Sequence, residues 1–261
     1  MTNEAQLKND VEEQNPWLSR GVYLLPNLLT TTCLFFGFFA IISSMKGHFA
    51  SVPWIIFIAM LADALDGRVA RLTNTQTSFG ANYDSLADLI AFGVAPAIFV
   101  YSWGLYELGK FGWLIAFFYV AATALRLARF NTQAQSNKVD KRYFQGLACT
   151  SAAGFVTGVV WMLNIYELNS LFFILSAAII TVLAGIFMVS SILYRSFKDN
   201  NFKYKLPHLA ALFIIVLFVL IALRPPQVLA AIFFIYAFSG PYFSLVKFLK
   251  KTVGKKNRKK V

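Results

Sequence analysis

Four aspartates, Asp63, Asp66, Asp84 and Asp88, sit inside stretches that are otherwise almost wholly apolar. Placing one aspartate at the centre of a membrane helix costs about 2.5–3.5 kcal/mol even on lenient insertion scales. Four close together need a shared cation or a water-filled cavity. An interfacial aspartate at a helix end, satisfied by solvent or by Arg68 and Arg71, is the plainer explanation for one such residue; the spacing argues against it for four. Asp63 and Asp66 are three residues apart, and Asp84 and Asp88 are four apart, so each pair shares one helix face. A donor set made only of carboxylates suits a hard divalent cation, Mg²⁺ or Mn²⁺. Gly67 and Ala70 extend the first stripe and Gly80 begins the second, and small residues there let helices or a flat ligand approach the backbone. No Cys/His cluster competes: His48 and His208 fall at loop or span edges, and Cys33 and Cys149 lie inside apolar runs and read as small core residues.

The elements that must carry these residues are membrane helices. Of 261 residues, 58% are hydrophobic and only 14% charged, against about 45–50% and 25% in soluble domains. A helix needs roughly 20 apolar residues to cross the hydrocarbon. Eight runs qualify, at 27–45, 53–72, 82–104, 111–130, 144–164, 170–194, 207–223 and 227–247. The expected fold class is therefore an all-α integral membrane bundle of about eight helices. Pro26, Pro53, Pro207 and Pro226 stand at or just before four of the starts, where a missing N–H does little harm. The chain divides into an N-terminal segment 1–26, a transmembrane catalytic region 27–247 and a basic tail 248–261. Pro16, Trp17, Leu18, Val22 and Tyr23 point to a short interfacial helix or an ordinary hydrophobic flank ahead of the first span. No cleavable signal peptide is visible, since the first 20 residues are polar and carry Glu4, Asp10, Glu12 and Glu13.

Positive charge sets the orientation. With the N-terminus cytoplasmic, the outer segments hold only Lys46, Lys110 and Arg224 of the 24 basic residues. Both termini are then inside, in keeping with a cytoplasmic bacterial membrane, and the turn 73–78 brings both aspartate stripes to the inner surface. The tail from Lys247 has no acidic residue and faces anionic lipid headgroups rather than nucleic acid.

The string Asp63-Ala-Leu-Asp66-Gly67-Arg-Val-Ala70-Arg71, eight further residues, then Gly80-Ala-Asn-Tyr-Asp84-Ser-Leu-Ala-Asp88 resembles the signature of the CDP-alcohol phosphotransferase family, D-x2-D-G-x2-A-R-x8-G-x3-D-x3-D, at every fixed position. The resemblance implies a homodimeric enzyme that displaces CMP from a CDP-linked lipid with an alcohol. It also implies that Asp63, Asp66 and Asp84 hold the divalent metal, with Asp88 near that metal and acting as general base. Arg71 would counter the diphosphate charge, and Gly67, Ala70 and Gly80 would line the nucleotide pocket. Pro26-Asn27-Leu-Leu-Thr30 resembles the family's P-N-x-x-T opening, which puts Asn27 and Thr30 beside the cytidine; a simple N-cap is the alternative.

The acceptor is less firmly written. Length, span number and the stretch from Ala124 through Arg126, Arg129 and Phe130 to Asn131 resemble the serine-using members. So does Phe144-Gln-Gly146-Leu147 followed by Ala152-Ala153, although Ala148 and Thr150 stand where those members carry prolines. The substrates implied are CDP-diacylglycerol and L-serine. A guanidinium at Arg126 or Arg129 can grip a carboxylate with two parallel bonds. It can equally hold a lipid phosphate or a phosphorylated acceptor, or anchor a helix end on the positive side. Glycerol 3-phosphate, inositol phosphate or choline would need the same chemistry. A cation-coupled transporter would often show an internal repeat, and no second copy of the aspartate pattern occurs.

Overall fold

The computed structural model describes residues 16–73, 75, 77–135, 143–195, 212, 216 and 219–258, with backbone alone at 16–24, 133–135, 143–145, 193–195 and 245–258. Among the described residues, eight bounded α-helices follow in order: α1 (Pro16–Met45), α2 (Val52–Leu72), α3 (Ser78–Asp88), α4 (Ala95–Trp103), α5 (Lys110–Gln135), α6 (Cys149–Ile165), α7 (Leu171–Val189) and α8 (Pro225–Arg258). A π-helical turn, Leu89–Val94, joins α3 to α4, so the two form one 26-residue apolar span from Ser78 to Trp103. By length and hydropathy, membrane-crossing segments occur at Leu25–Met45, Ser78–Trp103, Lys110–Thr132, Leu171–Val189 and Pro225–Ser244. To these the fold adds α2, whose second half carries the charged motif, and α6, which is apolar but only 17 residues long. The chain is an integral membrane protein whose spans are all helical.

Several expected boundaries move. The first helix begins at Pro16 rather than at residue 27, and Pro26 lies inside it. Proline fixes φ near the helical value, and membrane helices tolerate the one bond it removes. The runs expected at 144–164 and 170–194 are shorter as helices. Tyr143–Gln145 and Leu193–Arg195 leave them to pair as a two-stranded antiparallel ribbon, with Phe144 opposite Tyr194. Hydropathy reads the ends of both runs as helix, because three-residue strands are too short to interrupt a hydropathy run. Of the run at 207–223, residues 219–223 are helical and most of the rest lies outside the described residues, as do the tail's last residues 259–261.

Packing follows the membrane rule that small residues form helix contacts. Cys33, Ala40, Ala59, Ala62, Ala87, Ala91 and Ala95 are buried, while Phe35, Phe38, Leu61, Phe117 and Ile235 are exposed, as side chains meeting lipid would be. One close approach is between α1 and the π-turn. A Cβ placed on Gly37 would lie 2.6 Å from the Ala91 Cα, so only glycine allows this contact. α1 packs most extensively on α2 and also touches α3, the π-turn and α4; α6 packs on α8, α7 and α4. The ends of α1, α2 and α3 that bear the polar motif are thereby clustered.

Candidate active site

The turn between α2 and α3 is fixed locally by hydroxyls. Thr73 donates to the Val69 carbonyl at 2.8 Å and pairs with the Thr75 hydroxyl at 2.7 Å. Thr77 caps α3 by accepting from the Gly80 N–H at 3.0 Å. This turn folds the two aspartate stripes against each other. One oxygen each from Asp63, Asp66 and Asp84 lie within 4.8 Å of one another. Asp88, one turn further along α3, stands within hydrogen-bonding reach of the Asp63 carboxyl. Asp66 and Asp88 are buried and Asp63 and Asp84 half-buried.

The side-chain donors that these carboxylates receive are neutral. Thr30 on α1 places its hydroxyl 2.8 Å from Asp66 Oδ2, and the Cys149 thiol lies 3.6 Å from Asp88 Oδ2. Asp88 Oδ1 is buried without a hydrogen-bond partner. Four carboxylates in such surroundings carry charge that neutral donors cannot balance. The all-oxygen donor set fits Mg²⁺ or Mn²⁺. Asp63, Asp66 and Asp84 form the group that would hold such an ion, with Asp88 adjoining.

Beside this cluster lie the residues expected at the nucleotide. A Cβ on Gly80 would lie 3.6 Å from Asn27 Oδ1, so α1 and α3 meet where the sequence placed a pocket wall. Gly67 faces open space, its nearest neighbour being Arg71 Nη2 at 3.9 Å from a built Cβ. The Arg71 guanidinium thus reaches back over Gly67, the residue that follows Asp66, and Ala70 is half-buried next to it. Thr30, expected on the nucleotide side, is here turned to Asp66, and its hydroxyl also lies 3.1 Å from the Pro26 carbonyl.

The three acceptor-side candidates do not converge. Arg126 on α5 lies near Cys149 and Tyr119, and its Nε is buried with no partner. Arg129 donates to the Val189 carbonyl at 3.1 Å, holding the end of α7. Asn131 exchanges hydrogen bonds with Ser85 at 3.0 and 3.2 Å, lining a 280 Å³ cleft between α3 and α5.

Three contacts were not legible in the sequence. Cys149, read as an inert core residue, is delivered to Asp88 by a tight turn. Gly146 has φ +80, a Cβ there would collide with the Met188 carbonyl oxygen, and α6 begins at Cys149. The Tyr83 hydroxyl lies 2.9 Å from that of Thr31, tying α3 to α1. The Tyr119 hydroxyl donates to the Phe92 carbonyl at 3.1 Å inside the π-turn that follows Asp88. Such turns recur at functional sites because they re-aim the helix around them. The only sequence signals were a cysteine near the start of an apolar run and a tyrosine inside one.

Comparison with known proteins bears on the same region. The sequence profile described as CDP-alcohol phosphatidyltransferase matches residues 23–188. A Helicobacter pylori CDP-diacylglycerol–serine O-phosphatidyltransferase is 38% identical over 222 residues, 84% of this chain and 90% of the relative. An archaetidylserine synthase from Methanothermobacter thermautotrophicus is 35% identical over 172 residues, covering 65% and 69%. A CDP-diacylglycerol–serine O-phosphatidyltransferase from Methanocaldococcus jannaschii is 33% identical over 150 residues, covering 58% and 66%.

Proposed function

Since the chain belongs to the CDP-alcohol phosphatidyltransferase family, we propose that it transfers the phosphatidyl group of CDP-diacylglycerol to the hydroxyl of L-serine, giving phosphatidylserine and CMP. The observation that carries this reading is the gathering of Asp63, Asp66 and Asp84, with Asp88 beside them, at the meeting of α1, α2 and α3. The names of the relatives support serine as the acceptor.

The reaction needs a clamp on the diphosphate and a base for the alcohol. Held by Asp63, Asp66 and Asp84 with Asp88 adjoining, a divalent cation supplies charge neutralisation for the diphosphate. Arg71, lying over Gly67, adds a fixed positive charge to that side, and the open faces of Gly67 and Gly80 leave room for the nucleotide beside Asn27. The serine oxygen forms a bond to the phosphorus that bears the diacylglycerol. The bond from that phosphorus to the bridging oxygen breaks, and CMP leaves with that oxygen. The hydroxyl proton passes to Asp88 Oδ1, the buried oxygen that receives no hydrogen bond. Arg126 Nε, likewise unpartnered, offers its donor to the serine carboxylate. The positive-charge asymmetry supports placing this site on the cytoplasmic side of a bacterial inner membrane, with the basic tail on anionic lipid.

Detergent-purified protein supplied with Mn²⁺ and CDP-diacylglycerol releases CMP when serine is added, at least about tenfold faster than with glycerol 3-phosphate, inositol phosphate or choline. A tenfold preference corresponds to about 1.4 kcal/mol of differential transition-state binding. Release with glycerol 3-phosphate alone would overturn the serine assignment and keep the family chemistry. No CMP with any of the four would overturn both.

A further inference from the structure

Asp88 has two oxygens in unlike surroundings. Oδ2 receives the Cys149 thiol at 3.6 Å, and Oδ1 is buried and receives no hydrogen bond, with the Asp63 carboxyl within reach of Asp88. Cys149 is the first residue of the 17-residue helix α6, which starts from Ala148 with no side-chain cap. The Thr150 N–H is directed at the cysteine sulfur. The first-turn N–H groups of a helix carry its positive pole. The thiol therefore stands between that pole and the carboxylate, its proton directed to one oxygen.

We propose that Cys149 is a positioning residue for the transfer reaction: its thiol, set at the N-terminus of α6, holds Asp88 by Oδ2 so that Oδ1 is presented to the acceptor hydroxyl. Two further features fit a carboxylate that must not rotate. The π-turn directly after Asp88 is pinned by Tyr119 through the Phe92 carbonyl. The turn before Cys149 tolerates only glycine at 146, and Leu147 beyond it is fully buried. Both neighbours of the Cys149–Asp88 pair are thus rigidly placed. Serine could replace the thiol as a donor of similar reach, and alanine could not.

This inference rests on the assignment of Asp88 as base, and the test separates the two. Cys149→Ala is expected to lower kcat about tenfold or more, the range for groups that orient a reacting side chain, with both KM values within about twofold of wild type. Cys149→Ser is expected to recover kcat to within about threefold of wild type. An infrared difference spectrum of wild type against Asp88→Ala should show the S–H stretch at lower frequency in the wild type, the mark of a donated hydrogen bond. Wild-type kcat in Cys149→Ala, equal losses in the alanine and serine variants, or no S–H shift would each overturn the positioning role. If Asp88→Asn itself turned over normally, the assignment of the base would fall first.

Discussion

Asp88→Asn is expected to lower turnover by about 10³-fold, within the 10²–10⁴-fold range for loss of a general base, while CDP-diacylglycerol still binds. Asparagine keeps the shape and leaves an oxygen for the Cys149 thiol, but cannot take the hydroxyl proton at the other atom. The helix packing around the residue should survive, because Ala87 and Ala91, not Asp88, form the tight contacts of this segment with its neighbours. Single-turnover CMP release and equilibrium nucleotide binding on the same preparation measure the two effects. Turnover within tenfold of wild type would show that another group removes the proton.

Asp66→Asn acts on a different step. Asp66 is buried, grouped with Asp63 and Asp84, and receives the Thr30 hydroxyl at 2.8 Å. Its loss removes a charged oxygen from the set facing the diphosphate. The Mn²⁺ concentration for half-maximal activity is expected to rise by about 100-fold or more, beyond the 10–100-fold effect of altering a group that merely supports a ligand. Nucleotide binding should weaken in parallel, which separates this variant from Asp88→Asn. An unchanged Mn²⁺ requirement would remove Asp66 from the site.

The two variants divide along a line that the sequence already drew. The aspartates were legible because an acidic residue in an apolar run demands a reason, and because spacings of three and four fix the helix face. Asn27, Gly67 and Gly80 were legible from the motif; Asn27 and Gly80 meet where α1 packs on α3, and Gly67 faces open space. Cys149 was not. It lies 61 positions from Asp88, and its meaning depends on the ribbon and the Gly146 turn, which together set where α6 begins. The π-turn is similarly hidden, since its residues Leu89–Val94 have the apolar character of an ordinary span. Arg129 and Asn131 show the opposite case. Both lie within α5, which runs on to Gln135, and their side chains serve the α7 terminus and Ser85 rather than the aspartates. Composition and period record which face a residue occupies, and tertiary packing decides what meets it there.

The central claim is that the carboxylate cluster works with a divalent metal to move a phosphatidyl group to serine. The most direct measurement strips the purified protein with chelator, supplies CDP-diacylglycerol and serine, and follows CMP and phosphatidylserine as Mn²⁺ or Mg²⁺ is returned. The stripped protein should form no product above background before metal is added, then equimolar CMP and phosphatidylserine with a saturable dependence on the metal. Undiminished product formation by the stripped protein would contradict that claim.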